Sequence, residues 1–191
     1  MLIKRSVLFL ILLSWGVVYG QKKFEKEFRL KEEDVPPAAL QFVQPDELDA
    51  RVKWYFEENL EGNSVEAKLK RDGQRFSIEF DTTGTFLDIE VLSALSVLSK
   101  EVRDSIDEHL ESSFQRYKVQ KLQLQYSGRI SSFDAFLRSV KPSEDFILRY
   151  ELILKAKRES QWALYEITFT ERGDHLTTSR IVLRNTDNLE F

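Results

Sequence analysis

Hydrophobic and polar residues alternate in two distant stretches of the chain that match one another without a gap. Residues 76–87 read FSIEFDTTGTFL and residues 165–176 read YEITFTERGDHL, so Phe76 falls on Tyr165, Ile78 on Ile167, Phe80 on Phe169, Gly84 on Gly173 and Leu87 on Leu176. Each copy predicts an alternating strand, a glycine turn and the start of a second strand. Ala67 and Lys68 fall on Ala156 and Lys157 at the same offset, which carries the internal repeat upstream.

The pattern around the first copy extends it to four strands. Val52, Trp54 and Phe56 alternate against Lys53, Tyr55 and Glu57 over 51–58, and Val65, Ala67 and Leu69 alternate against Glu66, Lys68 and Lys70 over 65–71. Asp72-Gly73 is a two-residue hairpin signal, and the strand after Thr83-Gly84 carries Leu87, Ile89 and Val91. Such a meander has one apolar face that needs a cover. The cover is predicted just upstream: Asp34 as a cap, Pro36 and Pro37 in the first turn, Ala38 to Val43 as the helix, and Pro45 as its stop. Before it, residues 21–31 alternate Phe24, Phe28 and Leu30 against charges, which predicts a leading edge strand guarded by lysines.

The second round repeats this order. After a connector over 92–98, Val102, Ile106, Leu110 and Phe114 at i, i+4 spacing predict a helix over 99–117. Strands are predicted over 118–126, 146–157, 161–170 and 176–183. Residues 127–145 are an insertion with a short helix over 132–140, stopped by Pro142, and 185–191 read as a frayed tail. The first repeat is therefore placed at 32–92 and the second at 93–184.

Residues 1–20 stand apart. Lys4 and Arg5 precede an apolar run over 7–18, and Gly20 supplies a small residue before Gln21, the pattern of a cleaved secretory signal peptide. The run is shorter than the ~20 residues that span a bilayer, and no later segment is apolar enough to cross as a helix. The chain has 191 residues and a net charge of −4, which removal of Lys4 and Arg5 makes more negative. A mildly acidic, mixed surface argues against nucleic acid as a partner. The absence of cysteine excludes disulfides, thiolate metal sites, cysteine catalysis and lipid attachment through cysteine. Together with the signal it reads as a periplasmic or secreted bacterial protein.

Val35-Pro36 opening a helix, Pro45 closing it, the aromatic strand at Trp54, and the Asp72-Gly73 and Thr83-Gly84 hairpins resemble the PepSY-like domains of Bacteroidetes envelope proteins, which are similar to beta-lactamase-inhibitor protein. The resemblance covers about residues 32–183. The second copy lacks the Val-Pro entry and carries the insertion, so there it rests on 165–176. It implies an α+β fold of two tandem helix-plus-four-strand repeats forming a curved antiparallel sheet with helices on one face. It also implies a non-catalytic exported binding module. Inhibition of a hydrolase follows from fold similarity alone, and the family supplies no catalytic residue to carry over.

The residues agree with a protein that is not an enzyme. There are two histidines, His109 at the border of the predicted helix face and His175 in the place that Phe86 takes in the first copy, where it reads as a permissive surface site. Neither has metal-ligand spacing. Ser179, His175 and Asp174 lack a nucleophile elbow. Arg172-Gly173-Asp174 spells an adhesion tripeptide, but its glycine is already required by the turn, as Gly84 is. No glycine-rich phosphate loop occurs. No catalytic, metal-binding or cofactor-binding residue is assigned.

What remains is the strand face turned away from the helices. The alternation puts Tyr55 and Phe86 on it in the first repeat, and Ile147, Ile153, Trp162 and Leu164 in the second, rimmed by Lys53, Glu57, Arg149, Glu151 and Lys155. Grouped apolar residues with a polar rim mark a binding face. The expected partner is a protein of the cell envelope, bound through Tyr55, Phe86, Ile153, Trp162 and Leu164. The second reading is a carrier of a small hydrophobic ligand between helices and sheet.

Overall fold

The computed structural model describes residues 21–23, 25–59, 62–138 and 146–182. The predicted signal peptide, the end of the insertion and the tail at 185–191 lie outside the described residues. Two short strands come first, β1 (Gln21–Lys23) and β2 (Glu25–Leu30). The first repeat follows as α1 (Pro37–Val43), β3 (Lys53–Asn59), β4 (Asn63–Arg71), β5 (Gln74–Asp81) and β6 (Phe86–Ser93). The second is α2 (Lys100–Ser113), β7 (Arg116–Gly128), β8 (Phe146–Arg158), β9 (Gln161–Thr170) and β10 (His175–Ile181), with α3 (Phe133–Arg138) between β7 and β8.

All strands share one sheet, ordered β1-β10-β9-β8-β7-β6-β5-β4-β3-β2. Every pairing is antiparallel except β1 with β10. That order has a geometric consequence. Lys23 pairs with Ile181 on one edge, and Glu25 pairs with Asn59 on the other. Two peptide steps span at most about 7 Å, whereas ten flat strands would hold the edges roughly 40 Å apart. The sheet therefore rolls until its edges meet on one segment. The predicted leading edge strand comes in two pieces, one at each margin of the sheet, β1 beside β10 and β2 beside β3.

The helices lie on the outer face of the roll. In the first repeat Ala39, Phe42 and Val43 of α1 pack on Trp54, Val65, Ala67, Ile78, Phe80 and Ile89. In the second, Ile106 and Leu110 of α2, with Phe114, pack on Leu122, Leu152, Leu154, Ile167 and Phe169. Register explains the continuity of each core, since Trp54, Ala67, Ile78 and Ile89 stand in one row across four strands. The insertion completes the first core. A seven-residue α1 is only about 10 Å long, too short to cover four strands, and Phe133 of α3 fills the remainder with its ring 5.3 Å from that of Phe76.

Helix ends differ from the sequence expectation in instructive ways. Asp34 does not cap α1; it ends a separate 3-10 turn, and Pro36 holds the cap position without a side-chain bond. Gln44 then adopts a left-handed conformation and its amide closes on Leu40 O at 2.8 Å, so the helix ends one residue ahead of Pro45. Ser99 caps α2 by accepting from the Val102 amide. That helix stops at Ser113 rather than 117, because the Gln115 amide donates to Lys157 O at 2.9 Å and draws the chain into β7.

Candidate functional site: the inner face of the rolled sheet

The alternation that sends apolar residues outward to the helices sends charged ones inward. One row across the inner face runs Lys53, Lys68, Ser77, Glu90, Gln125, Arg149 and Thr170. Although the described helices pack on the outer face, Glu57, Ser64, Glu66, Ser77, Glu90, Gln123 and Glu151 on the inner one are all buried. The roll itself shields them. Buried polar groups need partners, and these have them: Ser77 donates to Glu66, Gln123 to Glu90, Ser64 to Glu57 at 3.3 Å, and Gln125 to Asp88 at 3.2 Å.

Charge is sorted along the strands. Glu27, Glu57, Glu66, Glu79, Asp81 and Asp88 gather toward one end, while Arg51, Lys53, Lys70, Arg75 and Lys121 gather toward the end that holds the Asp72-Gly73 hairpin. Lys68 joins the two zones, with its ammonium 2.8 Å from Glu66 and 2.6 Å from Glu27. Burial alone would depress the lysine, but the two carboxylates outweigh it and hold the group above its ordinary range. Carboxylate oxygens of Glu27, Glu57 and Glu66 lie within 4.8 Å of one another, a spacing that suits a cation. The Lys68 ammonium already supplies that positive charge.

A cavity of about 400 Å³ opens at the basic end. Arg51, Lys53, Lys68, Lys70, Arg75 and Lys121 line it, together with Ser77, Glu90, Leu92 and Gln123. Burial pushes the Glu90 carboxyl well above the usual carboxylate range, and repulsion from Glu151, Glu79 and Asp88 adds to this against an opposing pull from Lys121.

The sequence-predicted site residues divide. Tyr55 is half-buried on the inner face, its ring 5.1 Å from the Arg29 guanidinium and 5.0 Å from Lys68 Nζ. Ile153 stands opposite Lys121 and Glu166, and Leu164 opposite Lys155 and Ile181, both half-buried on the same face. Trp162 is 48% exposed at the start of β9, with Lys155 Nζ 5.8 Å from its ring. Ile147 is exposed on this face as well, opposite Ser127. Ile153, Leu164 and Trp162 thus occupy neighbouring positions at the basic end, and Tyr55 lies apart from them in the first repeat.

Phe86 does not belong to this face. Glu79 pairs with Asp88 and Phe80 with Phe86, which leaves Leu87 as the extra residue of a β-bulge. The one-residue slip turns Phe86 toward the helices, where its ring stacks on Phe42 at 4.6 Å. The second repeat has the same bulge, with Leu176 as the extra residue. His175 is exposed, as expected of a surface site, but the slip sets its ring against α2, stacked on His109 at 4.1 Å and edge-on to Phe169. Nor do Ser179, His175 and Asp174 bond to one another as a triad: His175 hydrogen-bonds Thr178 at 2.8 Å and the Asp174 carboxylate accepts from Thr170.

Of the inner cations Lys53 was expected in the polar rim, whereas Lys70, Arg75 and Lys121 went unselected because the sequence shows each only as one polar position in an alternation. Their convergence depends on strand register and on the roll.

Outer helices over a rolled antiparallel sheet, with a polar and charge-sorted inner face, define an α+β protein of two fused helix-on-meander repeats. No family's sequence profile matches the chain, and no curated protein matches it. Solved structures similar to it include a DUF2874 family protein from Bacteroides ovatus, 15% identical, covering 77% of this chain and 89% of that one with a TM-score of 0.49. A candidate periplasmic protein from Bacteroides eggerthii is 14% identical, covering 76% and 88%, with a TM-score of 0.48. A BLIP-like protein from Bacteroides fragilis is 19% identical, covering 80% and 91%, with a TM-score of 0.45. Among the described residues no helix is long and apolar enough to cross a membrane.

Proposed function

We propose that the protein is an exported, non-catalytic binding module, periplasmic or secreted, that holds a protein partner against the basic end of its inner sheet face. The observation that supports this most is the sorting of charge on that face, where a cationic cavity adjoins the apolar group of Ile153, Leu164 and Trp162. An aromatic anchor beside a polar rim is the composition of a recognition surface. The carrier reading has less support. Trp54, Phe80, Phe133 and Phe169, all fully buried, fill the space between helices and sheet that a hydrophobic ligand would need.

The test is capture from cell-envelope extract by the immobilised protein. Trp162→Ala combined with Tyr55→Ala is expected to leave the fold intact and to lose the partner that the wild-type chain retains. Equal capture by both would overturn the proposal. Phe86→Ala does not test binding, because it removes a ring packed on the core. Inhibition of a hydrolase is the narrower form of the reading, assayed by adding the purified protein to envelope protease and beta-lactamase reactions.

A further inference from the structure

The cavity at the basic end has a chemistry that protein recognition alone does not require. Six cations, Arg51, Lys53, Lys68, Lys70, Arg75 and Lys121, border a space of about 400 Å³, within the roughly 300–1,000 Å³ of ordinary small-molecule sites. Lys68 is neutralised by Glu66 and Glu27. Arg51, Lys53, Lys70 and Arg75 make no ion pair among the described residues. The one acid lining the cavity is Glu90, buried beneath the cations and bonded to Gln123. With Glu27, Glu57, Glu66, Glu79 and Asp88 toward the far end of the first repeat's inner face, the cavity keeps positive charge that a ligand can balance.

We propose that this cavity is an oxyanion site for a compact ligand carrying two or more negative charges, held by Lys53, Lys70, Arg75 and Lys121 and flanked by the Gln123 amide. It rests on the reading of the inner face as the working surface. Lysine and arginine suit carboxylate and phosphate alike, the first as point charges and the second as a planar fork. Ser77 adds a hydroxyl to the wall. Glu90 holds its proton more readily than an ordinary carboxyl does, which lowers the repulsion that an entering anion meets.

Calorimetric titration of the purified protein with citrate and, separately, with pyrophosphate in low-salt buffer tests the site. At least one is expected to bind, with affinity that falls steeply as salt rises. Tighter citrate binding identifies a carboxylate ligand, tighter pyrophosphate binding a phosphate one, and equal affinity supports the shared chemistry. Lys70→Glu with Arg75→Glu is expected to weaken binding about tenfold or more, while Lys100→Glu on the outer helix leaves it unchanged. If the double variant does not fold, Lys53→Ala and Lys121→Ala give the same readout at smaller amplitude. Binding of neither probe beyond that of chloride at equal ionic strength, or binding indifferent to these changes, overturns the inference. The titration needs no partner, so loss of anion binding with capture retained removes this site alone, and the reverse removes the partner reading alone.

Discussion

The two repeats solve one packing problem with different side chains. In the first, Phe42 of α1 stacks on Phe86 with Phe80 edge-on beneath them; in the second, His109 of α2 stacks on His175 with Phe169 beneath. Both glycine turns sit at φ +88° and press against the helix of their own repeat. A Cβ on Gly84 would lie 2.8 Å from Pro36 Cβ, and one on Gly173 would lie 2.9 Å from Val102 O. The turn is held by Asp81 in one copy and by Thr170 in the other, each accepting two backbone amides. Geometry has been kept while chemistry has changed from apolar to ionisable, so the halves should respond alike to steric insult and differently to pH.

Steric insult is expected to have the largest effect. Gly84→Val and Gly173→Val each force a branched side chain into a left-handed conformation against a helix, with an expected loss of about 3 kcal/mol or more in either repeat. Urea unfolding measures it, and a tolerated substitution in one copy would break the equivalence of the turns. Next comes the stacked pair. Phe42→Ala should cost about 3–4 kcal/mol because its ring is buried among aromatics, whereas His109→Ala, at the half-exposed border of α2, should cost about 1 kcal/mol.

Smaller, but particular to the second repeat, is the pH dependence. Burial, and then the neighbouring His175, lower the His109 pKa from its ordinary 6.5. The folded state thus prefers the neutral ring, and the unfolded chain takes up the proton first as pH falls. Stability from this group is complete above about pH 6.5 and declines as pH drops through that value toward the lower folded one. His109→Phe with His175→Phe should flatten the change in urea midpoint between pH 7.5 and 5.5; an unchanged profile would assign the dependence elsewhere. Least of all is Asp81, which the Thr83 hydroxyl and the Thr85 amide hold down to about 2. Its contribution is present above the ordinary carboxylate value and fades as pH falls toward 2, and Asp81→Asn should remove only that acid-range component.

The repeat, the strands and the outer helices were legible because alternation at Ile78 and Ile167, and i, i+4 spacing at Ile106 and Leu110, are local signals. Phe86 was misplaced because a bulge adds one residue, Leu87, without any mark in the sequence, and Phe86 beyond it shifts face. The exposure of His175 was legible, but its stacking on His109 was not, since that partner lies on another element. The inner face was half legible. Tyr55, Ile153, Trp162 and Leu164 are where the alternation put them, but the burial of Glu57, Glu66, Glu90 and Glu151 is a product of the roll, which residues 21–30 impose through pairings at both margins.

Lysine labelling tests the central claim most directly. With the captured partner bound, reductive methylation should be slowed at Lys53, Lys70 and Lys121 on the basic inner end and unchanged at Lys100 on the outer helix. Protection of Lys100 with the three inner lysines still reactive would place the partner on the helical side and contradict the account.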